Sequence, residues 1–577
     1  MSPGLQRVIG TRRAMAIVIA AVMALAATSI STGFLTDDHS FRAAARSTSE
    51  HAPAAYDLFR FSTGDAAGNR LRVWAGHLPW WSAPDLKIHF LRPLTSLAFA
   101  ADVRVFDAAP LGYHLHSLLW YLAVLLGAAA LFRRVLPAAA ATIALAVFGL
   151  AAAHVEAYAW VSARHVEIAG AFAASALACR ASARGRRGRW LIGFGLLAIG
   201  LTASEAGLAA LPLWLALELG DAEARPWRAR LAACAPIVVL GVAYLAAYTA
   251  LGGGTRASGG YHDPAADPIG FVGLGLRRVP ILLGDAALGI PAELAHVVAE
   301  AKLAVLGVAA AGVVALGVWG TRGAPRSIGW LVAGGVLACV PGAAGYPAGR
   351  VLLIPDLAFA LVLGLVIDRG LLGRDARWPG RVVAIVLVLA HLVHAPLATW
   401  RAIGKLAHRT AATEAIAREA IALAPPSGRV FVIGASDPLV FLYPRGIIAD
   451  LAPGAVRCWS VLSAARSAQR VSRPDAHTLV IEALDRPLLA GSFDQLFRAP
   501  DRPFAVGDEA EQCGATYRVA AVQGGKPSRV EVHLRRSFDD PAIAVLAWQG
   551  DALARLALPA VGGSIDLPWR AGPSGAL

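Results

Sequence analysis

The chain has 577 residues, of which 57% are hydrophobic and only 16% are charged, and its mean hydropathy is +0.56. This composition excludes an ordinary soluble domain and predicts an integral membrane protein. The formal net charge of +14 would suit a nucleic-acid-binding protein, but the arginines gather in short loops between apolar runs, where they act as topology signals. We therefore expect no nucleic acid among the partners.

The first apolar run covers residues 14–30 and follows Arg7, Arg12 and Arg13. Positive charge on this flank predicts a cytoplasmic N-terminus. The sequence Ala24-Leu25-Ala26 resembles a signal-peptide cleavage site. The run is therefore either a retained anchor or a cleaved signal, and we favour the anchor.

A long polar first outer loop, at about residues 35–110, precedes ten further apolar runs. These runs cover residues 111–132, 138–153, 166–179, 190–203, 206–219, 231–251, 303–320, 328–344, 351–367 and 382–397. Several are shorter than the roughly 20 residues that a perpendicular span needs. The loops expected on the cytoplasmic side are all basic, with Arg133 and Arg134; Arg184, Arg186, Arg187 and Arg189; Arg225, Arg228 and Arg230; Arg322 and Arg326; and Arg374, Arg377 and Arg381. This alternation predicts about eleven spans and an extracytoplasmic C-terminal part.

The segment 269–300 carries Arg277, Arg278, Asp285 and Glu293 among apolar residues. This mixture predicts an amphipathic or re-entrant segment on the outer surface rather than a span. Counting it as a span would invert the orientation of everything that follows.

Composition changes at about residue 401, which divides the chain into a predicted transmembrane domain, 1–400, and a predicted extracytoplasmic domain, 401–577. The second part begins with a short amphipathic helix at 401–424, followed by a Pro-Pro-Ser-Gly break. Alternating apolar and polar residues then predict strands at 429–434, 478–482, 517–522, 529–534 and 542–548. The predicted fold class is a polytopic α-helical membrane protein with a small soluble C-terminal α+β domain.

Five cysteines are spread thinly along the chain, without the spacing of a zinc site. Cys179, Cys234 and Cys339 lie in apolar runs, while Cys458 and Cys513 lie in the polar C-terminal part. A disulfide between the last two requires an oxidising compartment. Two cysteines alone define no framework, so the pairing stays open at this point.

Ionisable residues that are costly near lipid gather on the predicted outer side, where they are functional candidates by default. They are Asp37 and Asp38 after the first span, His114 and His116 at the start of the second, His154, Glu156, His165 and Glu167 between the third and fourth, and Glu205 between the fifth and sixth. Simpler alternatives are a solvated boundary for the acidic pair and helix caps for the two histidines of the second span.

The sequence His-Val-Glu occurs twice, at residues 154–156 and 165–167. Imidazole and carboxylate suit zinc or manganese, but a third ligand is missing. A divalent metal is therefore an alternative, and no cofactor is certain. Trp74, Trp80 and Trp81 either stack on a sugar ring or anchor the chain at the membrane interface, and Tyr261 is expected on a loop surface.

Several short motifs occur in an order that resembles the GT-C membrane glycosyltransferases, most closely their protein O-mannosyltransferase-like branch, which includes the membrane part of the transmembrane-and-TPR O-mannosyltransferases. The motifs are residues 34–41 (FLTDDHSF), 90–94 (FLRPL), 112–115 (GYHL), 154–164 (HVEAYAWVSAR), 204–205 (SE) and 349–355 (GRVLLIP). The resemblance covers residues 14–367. It also implies that the first helix is retained, because the acidic pair of that family is tethered directly after it.

The resemblance implies a mechanism as well. Asp37 or Asp38 would act as general base on an acceptor hydroxyl. An arginine would hold the phosphate of the lipid-linked donor, because a planar guanidinium gives paired, charge-assisted hydrogen bonds. The arginines expected in this role are Arg92, Arg164 and Arg350, and the further substrate-binding residues implied are His114, His154, Glu156 and Glu205.

The chain departs from the family pattern at several positions. Ala151 replaces the first histidine of a His-Pro-x-His stretch, and Ala203 precedes Ser204 and Glu205 where the family has Ser-Lys-Glu. A phosphate-facing lysine is therefore missing, and no TPR repeats follow the membrane part. These changes put the identity of the donor and a protein acceptor in doubt.

The sequence thus predicts a glycosyltransferase of the cell (inner) membrane that moves a sugar from a polyprenyl phosphate to an extracytoplasmic glycan, lipid or protein acceptor. The alternative is a non-enzymatic membrane scaffold or transport component for surface polysaccharide assembly. An enzyme predicts that the acidic pair and Arg92 face one cavity, whereas a scaffold predicts that they diverge into solvent.

Overall fold

The computed structural model describes residues 3–47, 52–183, 186–220, 225–320, 327–373 and 376–574. Four arginines of the predicted basic loops, Arg184, Arg322, Arg326 and Arg374, lie outside the described residues.

Helices make up most of the part before residue 424, as the long apolar runs predict. They are α1 (Pro3–Ile9), α2 (Arg12–Ala26), α3 (Thr36–Arg46), α4 (Ala66–Trp74), α5 (Pro93–Phe106), α6 (Pro110–Val135), α7 (Ala138–Gly149), α8 (Val155–Ala159), α9 (Arg164–Ala181), α10 (Arg187–Ala203), α11 (Ala210–Gly220), α12 (Trp227–Ala250), α13 (Pro268–Leu288), α14 (Glu300–Gly320), α15 (Ser327–Ala338), α16 (Asp356–Ile367), α17 (Trp378–Val388) and α18 (Ala395–Leu423). Proline begins α5, α6 and α13, where its fixed φ suits the first turn and its missing N–H costs nothing.

Among the described residues, five helices are long and apolar enough to cross a membrane, or six if a bent pair counts as one span. The five are Arg12–Ser31, Pro110–Val135, Trp227–Ala250, Glu300–Gly320 and Trp378–Leu423, and the bent pair is Ala138–Gly149 with Ala152–Ala159, at 49°. The other predicted runs form α9, α10, α11, α15 and α16, which are shorter helices. A polytopic helical fold is therefore confirmed, while the count of about eleven spans stays a prediction.

The segment expected to be amphipathic or re-entrant contains one continuous helix of 21 residues, α13. It packs closely against α14, because Gly307 leaves no side chain between the two backbones. A Cβ at that position would overlap the carbonyl of Pro280. Residues 268–288 therefore form one helix packed on α14, and the placement of the segment at the outer surface stays a prediction.

Three short strands connect the first outer loop to a later one. They are β1 (Arg60–Thr63), β2 (Lys87–His89) and β3 (Gly254–Arg256), paired antiparallel in that order. The first outer loop is therefore a folded layer, held by α3, α4 and α5 as well as this sheet.

The C-terminal part contains two further sheets. Their strands are β4 (Arg429–Ile433), β5 (Cys458–Val461), β6 (Gln469–Asp475), β7 (Thr478–Ala483), β8 (Glu509–Gln512), β9 (Ala515–Gln523), β10 (Lys526–Leu534), β11 (Ile543–Trp548), β12 (Leu553–Arg555) and β13 (Ser564–Leu567), with the short helices α19 (Pro438–Phe441), α20 (Pro444–Leu451) and α21 (Ser492–Gln495). One sheet has the order β13-β6-β7-β10-β9-β8 and the other β12-β11-β4-β5. All five predicted strands are confirmed as β4, β7, β9, β10 and β11.

The predicted boundary at residue 401 falls inside α18. The helix runs without interruption from Ala395 to Leu423, so the change in composition marks where one helix leaves the apolar part of the bundle. Its last turns place Ile416, Ala417 and Ala420 in the core of the C-terminal domain.

The same core includes tryptophans from the first outer loop. Trp80 is 4% and Trp81 1% exposed, and their indole N–H groups donate to the carbonyls of Val461 and Asp494, each at 3.1 Å. Both sequence interpretations, a sugar platform and a membrane anchor, are wrong for these two residues. They tie the first loop to the C-terminal domain instead.

Cys458 and Cys513 form a disulfide, with their Cα atoms 5.7 Å apart. The bond joins β5 to the turn between β8 and β9, and the N–H of Cys513 donates to the carbonyl of Trp74 at 3.0 Å. The disulfide therefore lies where the first outer loop meets the C-terminal domain.

We expect the double variant Cys458→Ala with Cys513→Ala to melt at a lower temperature than the wild type. The bond closes a loop with a sequence separation of 55, and loop entropy for such a length corresponds to about 4 kcal/mol. The measurement is thermal unfolding of the purified full chain. Cys179→Ala, at a free cysteine, serves as the control, and equal melting of the double variant and the wild type would contradict the expectation.

Candidate active site

Asp38 closes the first turn of α3. Its carboxylate accepts a hydrogen bond from the N–H of Leu35, the residue before the helix, at 2.9 Å, and others from the N–H of Ser162 at 2.7 Å and from the hydroxyl of Ser162. The side chain is fully buried. Asp38 is therefore a structural cap, and both of its oxygens are occupied by the protein.

Asp37, one residue earlier, has a different environment. Its carboxyl is half-buried and makes no hydrogen bond or ion pair with any described residue. Burial raises the pKa of Asp37 to about 7, with a further rise from the charge of Asp38 and an opposing effect from Arg350. A carboxyl without a partner, and with a pKa close to neutrality, can take up a proton at physiological pH.

Arg92 begins α5 and pairs with Glu205 through two hydrogen bonds, from Nε at 2.9 Å and from Nη2. The guanidinium lies against the rings of Phe59 and Phe90, at 4.7 and 4.6 Å from their centroids. The third nitrogen, Nη1, makes no hydrogen bond with the described residues.

Arg350 forms the second arginine–glutamate pair of this region. Its Nη1 donates to Glu156 at 2.6 Å, and the guanidinium lies 5.5 Å from the ring centroid of Trp160. Nε and Nη2 make no hydrogen bond with the described residues, and the side chain is 29% exposed. Arg350 therefore keeps two nitrogens available to an anion.

Two tyrosines connect these groups. The hydroxyl of Tyr261 lies within electrostatic reach of Arg350, Asp37, Arg92 and Glu205, and burial raises its pKa. Tyr261, expected on a loop surface, is half-buried, with its ring centroid 5.1 Å from that of Phe90.

Tyr443 reaches the same space from the C-terminal domain. Its hydroxyl lies within electrostatic reach of Asp37, Tyr261, Arg350 and Glu156. Nothing in the local sequence around Tyr443 signals this position, because only the docking of the C-terminal domain brings it there.

That docking depends on a buried carboxylate. Asp450, on α20, accepts hydrogen bonds from Arg42 and from Arg46 at 3.0 Å, and lies 2.7 Å from Nδ1 of His39. All three basic residues lie on α3, the helix that begins beside Asp37. The C-terminal domain therefore contacts α3 directly through Asp450.

Three of the residues proposed to bind substrate are enclosed by the protein. Arg164 is 1% exposed, and its three nitrogens donate to Ser117, Asp102 and the carbonyl of Tyr113. No part of its guanidinium faces open space, so the structure gives Arg164 a supporting position.

His114 and His154 are both fully buried. Nε2 of His114 lies 2.9 Å from the carbonyl of Gly33, and Nε2 of His154 lies 3.0 Å from Asp356. These histidines hold neighbouring segments in place and do not line the space around Asp37.

The two His-Val-Glu motifs diverge. His154 pairs with Asp356, Glu156 with Arg350, and His165 with Ser204, while both oxygens of Glu167 are buried without a hydrogen bond. Within the described ranges, no group of three or more histidine, cysteine, aspartate or glutamate residues is placed to hold a metal ion.

Glu293 was not singled out as a site residue by the sequence, yet it lies beside the Arg350 pair. Its carboxylate accepts from the N–H of Gly349 at 2.6 Å, and burial, with the charge of Glu156, raises its pKa. The sequence feature that could have indicated Glu293 is its place in the charged segment 269–300, which is expected at the outer surface.

No protein-family model matches the sequence, and no curated protein matches it either. In structure the chain is similar to ArnT from Cupriavidus metallidurans bound to undecaprenyl phosphate, at 14% identity and a TM-score of 0.39 over 78% of this chain and 89% of that one. Apo ArnT from the same organism gives 14% and 0.38 over 74% and 84%. The Archaeoglobus fulgidus oligosaccharyltransferase tethered to an acceptor peptide gives 13% and 0.36 over 77% and 63%. With TM-scores below 0.5, these similarities define neither the family nor the activity of the chain.

We expect Asp38→Ala to destabilise the protein far more than Asp37→Ala. The first change removes a helix cap and leaves buried N–H groups without an acceptor, which costs about 2 kcal/mol or more. The second removes a desolvated carboxyl without a partner. Thermal unfolding of both variants provides the measurement, and an equal or larger loss for Asp37→Ala would contradict these positions.

Proposed function

We propose that the protein is an inverting glycosyltransferase that takes a sugar from a polyprenyl-phosphate donor, with Asp37 as the general base. One observation carries this proposal: the half-buried carboxyl of Asp37 has no partner among the described residues and lies within electrostatic reach of Arg350 and Tyr261. An acid and a cation around one cavity are what this transfer requires.

The proposed step balances with these groups alone. As the acceptor hydroxyl oxygen forms its bond to the anomeric carbon, its proton passes to Asp37. The bond between that carbon and the phosphate oxygen breaks, and its electron pair leaves with the phosphate. A guanidinium stabilises the negative charge that develops there.

Arg350 is the better placed of the predicted phosphate ligands, because two of its nitrogens are free of the described residues and its side chain is partly exposed. Arg92 offers Nη1 only. The pairs with Glu156 and Glu205 orient both guanidinium groups before a ligand arrives, which reduces the cost of ordering them during binding.

The non-enzymatic alternative expects the acidic pair and Arg92 to diverge into solvent. Their common neighbour Tyr261 favours the enzyme. The proposal covers any sugar and a glycan, lipid or protein acceptor. It includes the O-mannosyltransferase-like branch as one possible family.

The proposed location is the cell (inner) membrane, with the N-terminus in the cytoplasm and residues 401–577 outside. The disulfide between Cys458 and Cys513 supports this orientation, since disulfides persist in oxidising compartments and are rare in the cytosol. An odd number of spans, as the count of about eleven gives, leads to the same arrangement.

We expect Asp37→Asn to lower sugar transfer by about 100-fold or more, because general-base catalysis contributes on that order. Purified full-length protein would be incubated with radiolabelled polyprenyl-phosphate mannose, glucose or galactose and membrane extract as the acceptor source. Asp85→Asn, in the same outer loop and paired with Arg502, is the matched control.

The wild-type rate should rise with pH and level off above about 7, where Asp37 loses its proton. The pKa of Asp37 is raised above the ordinary value of 3.8, so the ionised, active form of Asp37 becomes populated as the pH rises through about 7.

Equal transfer by Asp37→Asn and the wild type would eliminate the assignment of Asp37 as the base.

A further inference from the structure

His165 lies beside the proposed active site without a part in the mechanism so far. It is the second residue of α9, and its ring is half-buried. Its Nδ1 lies 2.8 Å from the hydroxyl oxygen of Ser204, the residue that precedes Glu205. One nitrogen of the imidazole is thus fixed by the protein.

The ring lies on the side of the Arg92–Glu205 pair, through its contacts with Ser204 and Phe59. The ring of Phe59 contacts both His165 and Arg92. Its centroid lies 5.8 Å from the centroid of the imidazole and 4.7 Å from the guanidinium carbon of Arg92. His165 is also within electrostatic reach of Arg92 and Arg350. The imidazole therefore shares the Phe59 ring with Arg92 and lies within electrostatic reach of both guanidinium groups proposed to face a phosphate.

The second nitrogen, Nε2, makes no hydrogen bond with the described residues and is not enclosed. In the tautomer with the imidazole proton on Nε2, Nδ1 accepts from the hydroxyl of Ser204, whose oxygen in turn accepts from the N–H of Ala206 at 3.1 Å. A neutral imidazole that accepts at Nδ1 carries its proton at Nε2. This arrangement turns an N–H donor toward the space between the arginines.

We propose that His165 is the third donor of a phosphate-binding site, in which its Nε2–H joins Arg350 and Arg92 around the phosphate of a lipid-linked ligand. The inference rests on the proposed function and deepens it by naming a binding residue. A tetrahedral phosphate presents several acceptor oxygens, so donors that converge from different directions suit it. The chemistry recognised is a phosphate group, and the test below separates a lipid-linked phosphate, which we propose, from a soluble one.

Ligand binding, not turnover, is the informative readout. Purified full-length protein would be titrated with polyprenyl phosphate, with polyprenol that lacks the phosphate, and with inorganic phosphate. The variants are His165→Phe, which keeps an aromatic ring but removes the donor, and His165→Gln, which keeps an N–H donor. His408→Phe, at an exposed position of α18, is the control.

We expect His165→Phe to weaken polyprenyl-phosphate binding about tenfold, the size expected for one hydrogen bond to a charged group. His165→Gln should retain most of the affinity, and polyprenol binding should stay unchanged in every variant. Thermal unfolding of each variant shows whether weaker binding comes from the missing N–H donor or from an unfolded protein. If His165→Phe does not fold, the affinity of His165→Gln still tests the proposal.

Three results would overturn the inference: unchanged polyprenyl-phosphate binding by His165→Phe, an equal loss for polyprenol and polyprenyl phosphate, or an effect confined to inorganic phosphate. The proposed function has a separate test, since Asp37→Asn is measured by transfer. Binding that depends on His165 in a protein that transfers no sugar would sustain the site and reject the enzyme.

Discussion

The buried carboxylate of Asp38 is the interaction on which the site depends. By capping α3 and accepting both hydrogen bonds from Ser162, it joins the start of the first outer loop to the turn before α9. One oxygen of Asp38 accepts from Leu35 and the other accepts from Ser162, so both oxygens have hydrogen-bond partners. Asp37, the preceding residue, is held at the helix start and makes no hydrogen bond or ion pair with a described residue, which leaves its carboxyl available for the proposed proton transfer.

The C-terminal domain completes this arrangement. Asp450 is buried and faces His39, Arg42 and Arg46, so its charge is compensated, and removing either side would leave an uncompensated buried charge. Tyr443, in the C-terminal domain, lies within electrostatic reach of Asp37. The C-terminal domain therefore contributes to the surroundings of the candidate site.

Local signals in the sequence were sufficient for the helices and for five strands, because apolar runs and alternation are properties of short segments. They also pointed to Asp37, Asp38, Arg92 and Arg350 through a motif order. They could not separate Asp37 from Asp38, because which carboxylate meets Ser162 is decided by a turn more than a hundred residues away. For the same reason they could not foresee that Arg164 is enclosed.

The most direct test of this account is an electron cryo-microscopy map of the full chain with polyprenyl phosphate. We expect density for the phosphate against Arg350, with the carboxyl of Asp37 facing the side from which an acceptor would approach. Phosphate density away from Arg350, or a carboxyl of Asp37 turned into a closed contact with the protein while Asp38 faces the ligand, would contradict it.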